Sequence, residues 1–404
     1  MKNTELFSAF TCISNSMRKC FGFSAFCLML FLQVTSCKPD DTEKPADPKT
    51  NNPVATLVEF KKPKGFPNPV LPKDNPLTEE GILLGRMLFY DPILSADSSM
   101  SCSTCHKQEN AFATNNTFEK GIHGNLGTRS SMPIFNQGWS NIGLFWDGRS
   151  KTMEEQAVEP VINPEEMASK RWEDVILKLK RHTSYPSLYE KAFGTKEITK
   201  ELSAKAIAQF LRTIVSASSK YDSAMRLNTA TLTASEQRGL MLYDRDPAMN
   251  EFTGEITSGG SCNHCHGSAS LHVFQPMDEF SGYRNNGLDS AETIGDFKDI
   301  GYAKVKPGVE NYGKFKVPSL RNIALTAPYM HDSRFKTLEE VIDHYNNGGH
   351  KSPTIDIEMA SKRYKNLGGT LHLSEQDKKD LIAFLKSLTD YNLTTNPAYS
   401  SPFK

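Results

Sequence analysis

Cys102-Ser103-Thr104-Cys105-His106 and Cys262-Asn263-His264-Cys265-His266 are the residues whose types and spacing most directly imply chemistry. In a C-x-x-C-H run, two thiols can add across the vinyl groups of a haem while the adjacent imidazole reaches the iron. The motif occurs twice, so the chain is expected to carry two covalent haem c groups with His106 and His266 on the irons. A structural zinc site is the competing use of paired C-x-x-C, but zinc ribbons place their pairs about 15–20 residues apart. Here the separation is far larger.

The elements that must hold these motifs read as one unit written twice. The first copy opens on the apolar segment 81–91 and closes on 207–215; the second opens on 239–244 and closes on 381–388. In the closing segments Ile207, Phe210, Leu211 and Ile214, and then Leu381, Phe384, Leu385 and Leu388, fall at helical spacing. Thr78 with Glu79-Glu80 and Thr233 with Ser235-Glu236 look like helix starts, hydroxyl caps followed by early carboxylates. Between 110 and 166 and between 271 and 329 the chain is rich in Gly, Pro, Asn and Ser. Long loops are expected where a cofactor replaces protein packing. No strand-rich region stands out. The expectation is an all-α protein of two cytochrome c-like domains, residues 59–222 and 223–404, each with one covalently attached haem c.

Formal net charge is zero over 404 residues, with no basic run, which leaves no electrostatic footprint for nucleic acid. Besides the haem motifs, the cysteines are Cys12, Cys20, Cys27 and Cys37, so no disulfide framework is left over. Arg18-Lys19 precedes an apolar run over 21–34, shaped like a signal-peptide core, which ends in Val34-Thr35-Ser36-Cys37. That ending resembles a lipoprotein cleavage box. Residues 1–36 are therefore expected to be a signal peptide, Cys37 a lipidated residue, and 37–58 a flexible tether rich in Pro, Asp, Lys and Thr. Met17 is a candidate start, and a plain secretory signal with an incidental Cys is the alternative. The expected location is that of an exported bacterial lipoprotein, periplasmic or at the cell surface, touching membrane through its anchor only. Covalent haem attachment, done outside the bacterial cytoplasm, agrees with export.

The loops carry Phe145-Trp146-Asp147-Gly148-Arg149, Glu155-Gln156, and Asn163-Pro164-Glu165-Glu166-Met167. Later come Lys316-Val317-Pro318-Ser319-Leu320-Arg321-Asn322, Thr326-Ala327-Pro328-Tyr329-Met330-His331-Asp332, and Thr337-Leu338-Glu339-Glu340-Val341. From about residue 65 to 390 the chain resembles the bacterial dihaem cytochrome c peroxidases and their relative MauG. The resemblance implies a peroxidatic N-terminal haem and a C-terminal haem that accepts and passes on electrons. His106 and His266 would be the proximal ligands, and Gln156 and Glu166 match the distal pair. Cleaving an O–O bond needs a group that takes a proton from one oxygen and returns it to the other. Glu166 suits that role, with Gln156 orienting the peroxide. Otherwise Glu166 is a solvated helix-start carboxylate. Trp146 matches the indole placed between the haems as a relay; packing at a domain interface is the other use of such a side chain. Arg149, Arg321 and Arg334 are candidate propionate partners or surface salt bridges.

The sixth ligands matter most for mechanism. His123 falls where the peroxidases carry a His that caps the first iron at rest, and it also suits an ordinary loop position. At the second haem the peroxidases carry Met, whereas this chain, like MauG, has Tyr345; Met330 is the alternative ligand or a buried gap-filler. Phenolate is a hard anionic donor that favours ferric iron, whereas a thioether raises the potential. The resemblance further implies a calcium ion between the haems. Thr326 and Pro328 would give carbonyls and Ser131 would stand at the amide position, a weaker donor on a shorter arm. The implied activity is reduction of hydrogen peroxide to water with electrons from a small cytochrome c or cupredoxin. A MauG-like oxidase of a protein or organic substrate and a non-catalytic electron-transfer cytochrome are the alternatives. A homodimer is a candidate assembly.

Overall fold

A computed structural model of the chain describes residues 55–268, 274 and 282–403. The expected signal peptide, Cys37 and its lipid, and most of the tether lie outside the described residues. The described residues belong to one compact unit. In it, helices α1 (Glu79–Tyr90), α2 (Cys102–Cys105), α3 (Met153–Ile162), α4 (Trp172–Arg181), α5 (Tyr185–Phe193) and α6 (Lys200–Thr213) come first. Then come α7 (Ala234–Asp244), α8 (Asn263–His266), α9 (Leu338–Asn346), α10 (Ala360–Arg363), α11 (Glu375–Ser387) and α12 (Tyr391–Thr395). Strand among the described residues is confined to two antiparallel pairs, β1 (Ala248–Met249) with β2 (Ile256–Thr257) and β3 (Tyr283–Arg284) with β4 (Phe315–Lys316). The fold is all-α in class.

The duplication is physical. Thr78 caps α1 by accepting from the Gly81 N–H, and Thr233 with Glu236 closes a capping box on α7. Helix α1 crosses α6, and α7 crosses α11, each pair meeting at a glycine on its first helix. A Cβ on Gly85 would lie 1.9 Å from the Ala206 carbonyl oxygen, and one on Gly239 would lie 2.0 Å from that of Asp380. No side chain fits either crossing. Matching aromatic pairs bridge them, with Phe89 and Phe210 ring centroids 5.4 Å apart and Tyr243 and Phe384 also 5.4 Å apart. Each pair sits in its own hydrophobic cluster.

Two features depart from simple duplication. The amphipathic α4 and α5 bury Trp172, Val175, Leu179, Tyr185 and Tyr189 in the first cluster only. The chain after the second copy, assigned from sequence to 223–404, packs back onto the first. Leu393 joins the first cluster, the Tyr90 hydroxyl donates to the Tyr399 carbonyl at 2.6 Å, and the Arg86 guanidinium donates to the Pro397 and Ser400 carbonyls. Leu388 closes the repeat, and the tail beyond it answers to whichever surface its apolar residues meet. Among the described residues no helix is long and apolar enough to cross a membrane.

Candidate active site

A cavity of about 660 Å³ opens in the first copy, within the usual range for cofactor sites. Cys102, Cys105 and His106 line it, presented by the one-turn α2, whose start is fixed by a capping box between Ser101 and Thr104. After α2 the chain takes left-handed conformations at Ala111 (φ 52°) and Phe112 (φ 58°). That turn brings the Phe112 carbonyl to 3.1 Å from His106 Nδ1. A carbonyl only accepts, so Nδ1 carries the proton and Nε2 keeps its lone pair for a metal. His266, at the end of α8, repeats the arrangement with its Nδ1 3.0 Å from the Pro318 carbonyl. Burial lowers both imidazoles, His266 to about 4, so both are neutral and ligand-competent.

Burial also pushes the Cys102, Cys262 and Cys265 thiols up to about 12. All four motif cysteines are described, and among the described residues no three His, Cys, Asp or Glu side chains gather as a metal site. That removes zinc. A large cavity bordered by two thiols and an oriented imidazole fits a covalent haem.

Gln156 and Glu166 reach the same cavity from either side of the end of α3. Glu166 lies in a turn past that helix, half-buried, with Oε1 accepting from the Asn163 amide at 2.7 Å. No helix starts there, so the reading of a solvated helix-start carboxylate does not describe it. Burial raises its pKa, and the Asn163 hydrogen bond works against that rise. Burial that favours the protonated form makes this carboxyl a better proton holder than an exposed one, while the amide beside it keeps the ionised form accessible. The Ile122 N–H donates to the Glu166 carbonyl at 3.0 Å, tying the 119–127 loop to this turn. Gly121 sits so close that a Cβ there would lie 2.2 Å from the Glu165 carbonyl oxygen. His123, at the tip of the loop, does not border the cavity.

Trp146 borders the cavity, half-buried, with its indole N–H donating to the Ser130 carbonyl at 2.8 Å. Its own carbonyl accepts from the Lys316 N–H on β4 at 2.8 Å. The buried His331, unassigned from sequence, stacks on Phe315 at 3.6 Å and meets Trp146 edge-on at 6.4 Å. The arginines foreseen as propionate partners are engaged elsewhere: Arg149 with Asp147 and Glu159, and Arg334 with Asp289 and Asp332. Arg321 is wholly buried in a bidentate pair with Asp222 at 2.7 and 2.8 Å.

On the second copy, α9 begins with a capping box between Thr337 and Glu340 and carries Tyr345. The Asn286 amide nitrogen lies 3.0 Å from the Tyr345 oxygen and 3.5 Å from the Met330 sulfur. Both candidate ligands thus meet at one donor that sequence reasoning missed. An isolated Asn in a loop carries no signal of its own. Burial raises the Tyr345 phenol and the Asn286 hydrogen bond opposes that rise. Near the expected calcium donors, Ser130 bonds the Met330 and His331 carbonyls, which ties the segment of Ser131 to the chain just after Thr326 and Pro328. Ser131 itself borders the first cavity.

The sequence model of the di-haem cytochrome c peroxidase family matches residues 79–230. The chain is 32% identical to the methylamine utilization protein MauG of Methylorubrum extorquens, over 88% of this chain and 90% of that one. It is 30% identical to the cytochrome c peroxidase Ccp of Escherichia coli, over 79% of this chain and 60% of that one. A crystal structure of a MauG-like protein associated with microbial copper homeostasis superposes with a TM-score of 0.73 at 33% identity, covering 86% of this chain and all (100%) of that one.

Proposed function

This chain belongs to the di-haem cytochrome c peroxidase and MauG family and is an oxidoreductase of the peroxidase type; from that premise we propose that it reduces hydrogen peroxide to water at its first haem. Electrons enter at the second haem from a small redox protein. The balance is H2O2 with two protons and two electrons giving two waters. When bound, haem supplies the iron centre at which the O–O bond breaks and the electrons arrive. The protein supplies the proton handling. Glu166, raised by burial and steadied by Asn163, takes a proton from one peroxide oxygen and returns it to the departing one. Gln156 orients the peroxide by hydrogen bonding, and Trp146 lies on the side facing the second copy.

The observation that carries this reading is that Gln156 and Glu166 border the same cavity as Cys102, Cys105 and His106. Peroxide-driven oxidation of a reduced cytochrome tests it. Glu166→Gln is expected to lower kcat by about 10²–10⁴-fold, the range for a lost general acid-base group. Undiminished turnover would remove the role of Glu166.

The contact of Asn286 with Tyr345 favours a second reading, a MauG-like oxidase that uses peroxide to draw electrons from a protein or organic substrate. Phenolate ligation suits high-valent oxidation better than storage of a reducing electron. Reaction of the fully ferric protein with peroxide would select it, whereas a need for prior reduction of one haem selects the peroxidase. Calcium held by Ser131, Thr326 and Pro328, and anchoring through Cys37, belong to the same proposal. Metal content after dialysis against a chelator checks the first, and radiolabelled palmitate the second.

A further inference from the structure

Lys316 differs from the other cations that border the first cavity. Arg129 is paired with Asp147 and Asp299, Arg149 with Asp147 and Glu159, and Lys304 with Asp299, while Lys120 is exposed. Lys316 is only 8% exposed, and its ammonium has a single hydroxyl beside it, Ser140 Oγ at 3.4 Å. Among the described residues no carboxylate pairs with it, and burial alone pushes it down to about 7. A buried ammonium without a counter-charge is costly, so its place in the fold points to an anion that arrives with a ligand. The backbone around it is held from both sides. The Lys316 N–H donates to the Trp146 carbonyl at 2.8 Å, and two residues on the Pro318 carbonyl accepts from His266 Nδ1 at 3.0 Å.

We propose that Lys316 is the counter-charge for a carboxylate seated in the first cavity, namely a propionate of the haem attached at Cys102 and Cys105. This rests on the haem reading above. The arginines best suited to propionates by type are committed to Asp and Glu partners, which leaves the ammonium that β4 carries into the cavity wall. Seating the haem then completes an ion pair on the segment that also bonds Trp146 and the second proximal histidine. Lys316 is a positioning and charge-setting residue.

The test uses the matured holoprotein with Lys316→Met and Lys316→Arg variants. Readouts are covalent haem count by mass, midpoint potentials of both haems, and the propionate bending bands in resonance Raman spectra. Lys316→Met is expected to keep both haems, to lower the potential of the first haem while sparing the second, and to shift the propionate bands. Lys316→Arg is expected to restore the potential. Unchanged first-haem potential and bands in a fully loaded Lys316→Met protein overturn the proposal. Should Lys316→Met not mature, the Lys316→Arg bands decide, because a guanidinium fork changes the bonding of a carboxylate it touches; shifted bands support the pair and unmoved ones overturn it. Formate is titrated in a parallel arm. Saturable binding that needs Lys316, with unmoved propionate bands, makes the anion a solute and overturns the assignment to haem. Fewer than two haems in the wild type would instead defeat the haem reading itself.

Discussion

Gly121→Ala should disable the carboxyl of Glu166, proposed above for the acid-base work, without touching it. The added Cβ would stand 2.2 Å from the Glu165 carbonyl oxygen and 2.9 Å from that of Glu166. Carbon and oxygen settle at about 3.3 Å or more, so relief requires a displacement of roughly 1 Å. The contact is backbone against backbone, and the Ile122 N–H bond to the Glu166 carbonyl couples loop and turn. Neither side can yield by turning a rotamer. A misplacement of about 1 Å at a reacting group can cost about 10²-fold in rate, and overpacking of this kind costs about 1–3 kcal/mol of stability. The assay is kcat/KM for peroxide at matched covalent haem content. Gly124→Ala is the control within the same loop: Gly124 has φ +84° with nothing within 4 Å of its added Cβ. Alanine there costs about 1–2 kcal/mol in left-handed backbone strain but presses on neither Glu165 nor Glu166. Wild-type kcat/KM in Gly121→Ala would refute the coupling. An equal loss in both variants would assign the effect to loop strain.

Other outcomes rest on the same geometry. Arg321→Met leaves Asp222 buried without its fork and should cost roughly 3–5 kcal/mol in denaturant unfolding of the holoprotein; a loss below about 1 kcal/mol would show that Arg226, whose Nε donates to the same carboxylate at 3.3 Å, suffices. Burial works to raise the Asp222 pKa, and Arg321 overrides it to hold the carboxyl at about 2. Its folded pKa is depressed, so the pair's stabilisation is complete above the ordinary Asp value of about 4 and is lost as pH falls toward about 2. Arg321→Met should flatten the stability profile in that window. Asn286→Leu removes a donor from the Tyr345 oxygen, so under phenolate ligation the second haem should become harder to reduce, by at most about 1.5–3 kcal/mol. An unmoved second potential would detach Asn286 from ligation.

Much of this molecule was written in local pattern. The expected haem attachment sites come from five contiguous residues apiece, because thioether attachment and proximal ligation would need only that spacing on one helical turn. The crossing helices come from i, i+3, i+4 periodicity and from caps at Thr78 and Thr233. Gly85 and Gly239 fall at matching places in the two copies, and the crossings explain why. The α4–α5 insertion has helical periodicity too, but it is absent from the second copy and so was invisible to an argument from duplication.

Tertiary structure decided which residues of unlike sequence position share one environment. Asn286 matters because folding carries it to Tyr345 and Met330, and Lys316 because β4 delivers a cation into a cavity built from the other half of the chain. Arg321 was open to several partners by type, and burial opposite Asp222 settled the choice. The tail past Leu388 carries no motif, and only the surface it met placed Leu393 and Tyr399 on the first copy. Spacing along a helix is a local constraint, legible in order; pairing across a core depends on which surfaces close together, and no run of neighbouring residues encodes that.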